Sequence, residues 1–226
     1  MILAGSVAVL TLIWIFTTIA DKVLEGDTRQ FDEWLVGALR QPGNPEALRG
    51  PRWLQLGAED ITALGSPTVL GLTVLVVTGY LFLHHLYRNG LFIFTASVGG
   101  WLLNWALKQT FARTRPSIVP HLREVMSSSF PSGHALTSAA VYLTLGALLM
   151  RIAEGRLAKY YCIAIAMFVT FLVGSSRVLL GVHYPTDVLA GWVIGMSWAL
   201  FCWIIERLLE RRAGLRREKQ EHKGEG

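Results

Sequence analysis

Apolar residues in this chain gather into long blocks separated by short polar joints, instead of alternating with polar residues. Six blocks come near the ~20 residues needed to cross a hydrocarbon core of about 30 Å. They are Met1–Ala20, Ser66–Leu86, Gly90–Leu107, Ala135–Ile152, Ala158–Leu172 (extendable to Ser175) and Val188–Leu208. The pattern predicts an all-α, six-transmembrane helix bundle over 1–208, followed by a charged cytoplasmic tail at 209–226. Between the first two spans, 21–65 reads as an extracytoplasmic loop with a short amphipathic helix of its own. In Phe31–Leu39 the apolar positions Phe31, Trp34, Leu35 and Leu39 recur at helical spacing while Asp32 and Glu33 point elsewhere. Pro42, Gly43 and Pro45 then end it. Such a helix suits the membrane surface or a packing role over the bundle.

Composition supports lipid as the solvent. The 226 residues are 52% hydrophobic with mean hydropathy +0.42, and 16% are charged against about 25% in soluble domains. The first block lacks a basic flank, and Thr18-Ile19-Ala20 is a poor cleavage site, so it reads as a span and not a signal peptide. Gly99, Gly100, Ser138, Ala139 and Ala140 allow close helix approach, within one chain or between two, which leaves the oligomeric state open. Cys162 and Cys202 sit in apolar blocks with no CxxC pairing, and read as small buried hydrophobes.

The net charge of +5 does not point to nucleic acid, because the basic residues after Trp203 are interleaved with Glu206, Glu210, Glu218, Glu221 and Glu225. Six crossings put both termini on one side. The joints Tyr87–Asn89 and Arg151–Leu157, with Lys159 just beyond, and the tail carry barely more cations than the opposite face. Long loops count little in the positive-inside rule, and that tilts the termini toward the cytoplasm.

Polar residues beside membrane spans are costly, and three clusters of them fall on the same predicted face. Lys108 and Arg115, ahead of Pro116, are two turns apart if the third helix continues, although Pro116 disfavours helix at Arg115. Two cations there suit an anion or the headgroup layer alike. Ser129-Phe130-Pro131-Ser132-Gly133-His134 precedes the fourth span, where free N–H groups of a helix start can hold a phosphate and Gly133 lets the backbone come close. Ser176-Arg177 leads to His183-Tyr184-Pro185-Thr186-Asp187, with Pro185 suited to a first helical position. Four residues apart, Asp187 can accept the Nδ1–H of His183 and leave Nε2 to attack. Each cluster alone also fits a structural role.

Together they supply three cations, an anion-binding helix start, two histidines and a carboxylate. Phosphoryl transfer uses such a set, since its catalysis is mostly positioning and charge neutralisation. Lys108, Arg115 and Arg177 would neutralise the phosphate, helped by Ser132 and the Gly133 N–H. One histidine attacks phosphorus while the other protonates the leaving oxygen. With three fixed cations no metal or other cofactor is required.

The three clusters resemble the signature of the type 2 phosphatidic acid phosphatase family: K-x6-R-P at Lys108–Pro116, P-S-G-H at Pro131–His134 and S-R-x5-H-x3-D at Ser176–Asp187. No motif position departs from it, and the resemblance spans about Leu86 to Leu208. It implies that Lys108, Arg115, Ser132, Gly133 and Arg177 bind phosphate. It also implies that His134 is the general acid, His183 the nucleophile and Asp187 its orienting partner. Arg113 matches no motif position and receives no role. The family is metal-independent and faces its site away from the cytoplasm.

The resemblance therefore implies a multi-pass protein of the inner membrane with two partners, the bilayer and a lipid phosphate. Phosphatidic acid, phosphatidylglycerol phosphate, undecaprenyl pyrophosphate and a lipid A or sphingoid phosphate are the substrates in view, with the first three favoured. Soluble acid phosphatases and vanadium haloperoxidases share the signature, but six apolar spans argue against both. A membrane protein that only binds or moves lipid phosphates would need the cations but not His134, His183 and Asp187 together.

Overall fold

A computed structural model describes residues 2–120 and 128–224, with side chains through Ala213. Arg123 and the tail charges from Arg216 onward lie outside the described side chains. The helices are α1 (Ile2–Glu25), α2 (Arg29–Ala38), α3 (Arg52–Ala63), α4 (Pro67–Leu83), α5 (Tyr87–Thr110), α6 (Gly133–Ile152), α7 (Arg156–Leu179) and α8 (Pro185–Gly224). A small antiparallel hairpin, β1 (Arg40–Gln41) and β2 (Asn44–Leu48), follows α2.

Among the described residues five helices, α1, α5, α6, α7 and α8 as far as Ala213, are long and apolar enough to cross a membrane. With 17 residues α4 is shorter. It joins α3 at a 49° bend, and the two meet the same description only as a pair. The apolar helices carry exposed Leu10, Trp14, Leu75, Val76, Phe168 and Phe171. A monomeric soluble protein rarely presents so broad an apolar surface, whereas lipid tails solvate it. The chain is a multi-pass membrane protein.

Helix α6 is the axis of the bundle. Of its most apolar stretch 61% is buried, against 11% for α1 at the rim. Its partner α8 comes close because the contact is made of small residues. A Cβ on Gly191 would lie 2.7 Å from Ser132 O and 2.8 Å from Ala135 Cβ, and one on Gly195 only 2.7 Å from Ala139 Cβ. Indoles fasten the neighbours: Trp192 Nε1 donates to Thr170 O at 3.1 Å and Trp198 Nε1 to Ala96 O at 2.8 Å.

The ends of α5 and α7 and the starts of α6 and α8 lie at one end of the bundle. Just before α6, Phe130 is fully buried there against Phe16 and Phe111, with ring centroids 5.9 and 5.0 Å away. At the other end Arg151 pairs with Glu206 and Glu210, and Arg88 with Glu210 at 3.3 Å.

Several sequence expectations change. The chain reverses at His84–Leu86, with His85 at φ 59°, so Tyr87–Asn89 is the first turn of α5 and not a joint. Arg88 reaches across to Glu206 O and Glu210 from inside that helix, which gives its charge a partner there. Helix α5 stops at Thr110, so Lys108 is helical and Arg115 is not. Beyond Leu208 the chain stays helical to Gly224. Cys162 and Cys202 are partly buried and unpaired by disulfide.

The first loop holds more structure than its one amphipathic stretch suggested: α3, itself amphipathic with Ala58 and Thr62 on its buried face, and the hairpin lie there too. In α2 the burial is inverted: Asp32 and Val36 face the protein while Phe31 and Trp34 are exposed.

Candidate active site

Ser132 caps α6, its hydroxyl accepting from Ala135 N at 3.5 Å, and Gly133 is the first helical residue. A Cβ there would stand 3.3 Å from Lys108 Cε and 3.1 Å from Asn104 Oδ1, so glycine lets α5 close on the start of α6. Lys108 Nζ donates to Ser128 O at 2.8 Å, and Ser128 Oγ donates back to Lys108 O at 3.3 Å. His134, in the first turn of α6, packs against Gly65 at the α3–α4 bend, where a Cβ would lie 3.1 Å from the imidazole Cδ2.

Pro185 opens α8 and places Asp187 in its first turn. Asp187 and His183 are both essentially inaccessible to solvent. Arg115 donates to Val182 O and lies 3.1 Å from His183 Nε2. A guanidinium only donates, so Nε2 is the acceptor and the ring proton sits on Nδ1. That Nδ1 is 3.5 Å from Asp187 Oδ2, at the outer limit of hydrogen bonding. Ser129 bridges the gap, its hydroxyl donating to Oδ2 and standing 3.5 Å from Nδ1.

Burial disfavours the imidazolium, with Asp187 opposing and Arg115 and Arg177 adding to the effect, so the His183 pKa is pushed down to about 4. The ring is therefore a free base at neutral pH. Arg177, fully buried in the last turn of α7, donates to Thr62 Oγ1 of α3 at 2.8 Å.

Lys108 at the end of α5, Arg115 beyond it, Ser132 and Gly133 at the start of α6, and His183 and Asp187 around the start of α8 thus meet through shared partners. The charge of Arg177 acts on both His183 and Lys108. His134 is the immediate neighbour of Gly133.

Four participants had no signal in the motif positions: Ser129, Thr62, Asp32 and Arg113. Arg113 NH1 donates to Asp187 Oδ1 at 2.6 Å and its NH2 to Asp32 Oδ2 at 2.7 Å. Burial weakens the charge on Arg113, but Asp187 and Asp32 more than offset this and raise its pKa. The place of Arg113 between Lys108 and Arg115 in the chain was the one available cue, and only for Arg113.

Comparison with known proteins bears on this arrangement. The PAP2 superfamily model matches residues 90–211, more than half of the chain and all three clusters. This chain belongs to the PAP2 superfamily. Among its relatives, phosphatidylglycerophosphatase B of Bacillus subtilis is 34% identical over 148 residues, covering 64% of this chain and 71% of that protein. A lipid A 1-phosphatase of Rhizobium etli is 32% identical over 125 residues, about half of each chain. The crystal structure of a transmembrane PAP2-type phosphatidylglycerolphosphate phosphatase from Bacillus subtilis superposes with a TM-score of 0.77 at 28% identity, over 88% of this chain and 96% of that one. The protein is a membrane phosphatase of this superfamily.

Proposed function

We propose that this phosphatase hydrolyses a lipid phosphate or lipid pyrophosphate monoester at the membrane surface, without a metal, through a phosphohistidine on His183. The observation that carries the reading is the setting of His183, with Nε2 turned to Arg115 and Nδ1 to Asp187 and Ser129. Phosphate oxygens take over the Arg115 guanidinium and bare Nε2 for in-line attack. The bond from phosphorus to the lipid oxygen breaks as Nε2 binds, and His134 protonates the departing oxygen. Water then attacks the phosphohistidine, His134 takes its proton, and inorganic phosphate leaves with His183 restored. Asp187 steadies the ring as charge develops.

Lys108, Arg115 and Arg177 neutralise the non-bridging oxygens, together with Ser132 and the Gly133 N–H at the start of α6. Three cations supply the stabilisation that a divalent ion would give.

Helix α4 makes the sixth crossing, and the bend at Gly65 leaves α3 in the extracytoplasmic loop. The exposed Phe31 and Trp34 of α2 lie in the interfacial layer, where such side chains are enriched. Both termini face the cytoplasm, and the site opens on the extracytoplasmic side of the inner membrane. The Bacillus subtilis relatives cover most of this chain, so a glycerophospholipid phosphate such as phosphatidylglycerol phosphate is the favoured substrate over phosphatidic acid and undecaprenyl pyrophosphate.

A panel of these three lipids in detergent micelles with EDTA present, read as released phosphate, tests the proposal. Turnover in EDTA and its loss in a folded His183→Ala protein are expected. Abolition of wild-type activity by EDTA, or turnover by His183→Ala, contradicts it.

A further inference from the structure

We propose that Arg113 and Asp32 form a positioning pair that holds Asp187 against His183, which makes the first loop part of the catalytic apparatus. The inference rests on the reading of His183 as nucleophile. Asp187 is fully buried and its two oxygens have different company. Oδ2 receives the Ser129 hydroxyl and the Tyr184 N–H at 2.8 Å, and faces His183. Oδ1 receives Arg113 NH1 at 2.6 Å. A buried carboxylate oxygen stripped of its donor is costly, so without Arg113 the carboxylate would turn to find another. Any such turn moves Oδ2 relative to Nδ1, a contact already at 3.5 Å.

Arg113 is itself held from two sides. Its guanidinium lies over the Tyr184 ring, 4.5 Å from the centroid, and NH2 meets Asp32 Oδ2 at 2.7 Å. Asp32 in turn accepts from Thr186 N at 3.1 Å and from Thr186 Oγ1 at 2.6 Å. Tyr184 follows His183 and Thr186 precedes Asp187, so the pair grips the short segment joining the two groups. A planar fork is needed to bridge two carboxylates, and a lysine ammonium cannot do so at both distances.

The pair has an electrical consequence. Two carboxylates against one guanidinium leave a net negative charge behind the imidazole. Among the described residues, the other groups facing His183 are Arg115 from the segment after α5, Ser129 from before α6 and Arg177 from α7. Removing Arg113 uncovers negative charge and eases protonation of His183, whereas neutralising Asp32 gives Arg113 wholly to Asp187 and hinders it.

The test compares Arg113→Ala, Arg113→Lys and Asp32→Asn with wild type, as full chains in detergent hydrolysing whichever lipid of the three-lipid panel wild type turns over fastest, across pH. Arg113→Ala is expected to lower kcat about 10–100-fold, as loss of an orienting partner commonly does, with KM within about threefold. Arg113→Lys regains part of the loss. The acid limb of kcat/KM moves to higher pH in Arg113→Ala and to lower pH in Asp32→Asn, with the ionisation of the shared substrate cancelling between them. A kcat within twofold of wild type, a KM that rises as far as kcat falls, or limbs that move together would overturn the inference. If Arg113→Ala elutes aggregated, Asp32→Asn decides the matter by the direction of its limb. Turnover by His183→Ala defeats the nucleophile assignment instead. A silent His183→Ala beside a full-rate Arg113→Ala defeats only this pair.

Discussion

Gly191→Ala is the sharpest probe of how the helix seam builds the site. The added Cβ would lie 2.7 Å from Ser132 O, 2.8 Å from Ala135 Cβ and 3.2 Å from Leu136 N. Two of these neighbours are backbone atoms, so no side chain can swing aside. Restoring ordinary contact at about 3.4 Å requires roughly 0.7 Å of separation between α6 and α8 at this level. The same two helices carry Ser132, Gly133 and His134 on one side and Asp187 on the other, joined by Ser132 N donating to Asp187 O at 2.9 Å.

A displacement of that size between groups that must meet one phosphorus lowers kcat about 10–100-fold, and overpacking destabilises by about 1–3 kcal/mol. Phosphate release gives the rate, and tryptophan fluorescence on heating in detergent gives the stability. Gly37→Ala, where nothing lies within 4 Å of the new methyl, serves as the control and should behave as wild type. A Gly191→Ala protein with wild-type rate and melting would refute the claim that this seam sets the spacing of the site.

Two further outcomes follow from charge and burial. The folded protein takes up a proton on His183 only near pH 4, whereas an unfolded chain does so near pH 6.5, so stability is full above pH 6.5 and falls by roughly 3 kcal/mol as pH drops toward 4. Melting of wild type and His183→Gln from pH 7.5 to 4.5 checks this, and an equal loss in both would contradict it. Arg151→Ala strands Glu206, a buried carboxylate at the far end of the bundle, and should lower the melting point by roughly 6–12 °C while leaving kcat and KM unchanged.

The spans were legible because lipid demands uninterrupted apolar length, and that is written into each segment locally. The cluster residues were legible because Ser132, Gly133, Pro185 and Asp187 obey helix-start rules at fixed offsets, which the structure reproduces. What escaped was long-range pairing. Asp32 meets Thr186 and Arg113, and Thr62 meets Arg177, across more than 80 residues of chain, and no periodicity encodes such partners.

Gly65 gave no sign that His134 would press against it, since the need for glycine arises only once α3 and α4 bend over α6. A helix does stand over Arg29–Ala38, but the stripe the spacing marked as apolar faces outward, with Phe31 and Trp34 exposed. The α4–α5 turn was misplaced by a few residues because His84–Leu86 contains neither glycine nor proline, while Arg88 looked like a joint until its acidic partners on α8 were seen.

The central claim is a covalent phosphohistidine, and the stereochemistry at phosphorus tests it most directly. A lipid phosphate whose phosphorus is made chiral with oxygen isotopes and sulfur is hydrolysed in labelled water, and the configuration of the released thiophosphate is read. Attack by His183 followed by attack of water inverts phosphorus twice, so net retention is predicted. Net inversion would mean that water displaces the lipid oxygen in one step, and the phosphohistidine account would be wrong.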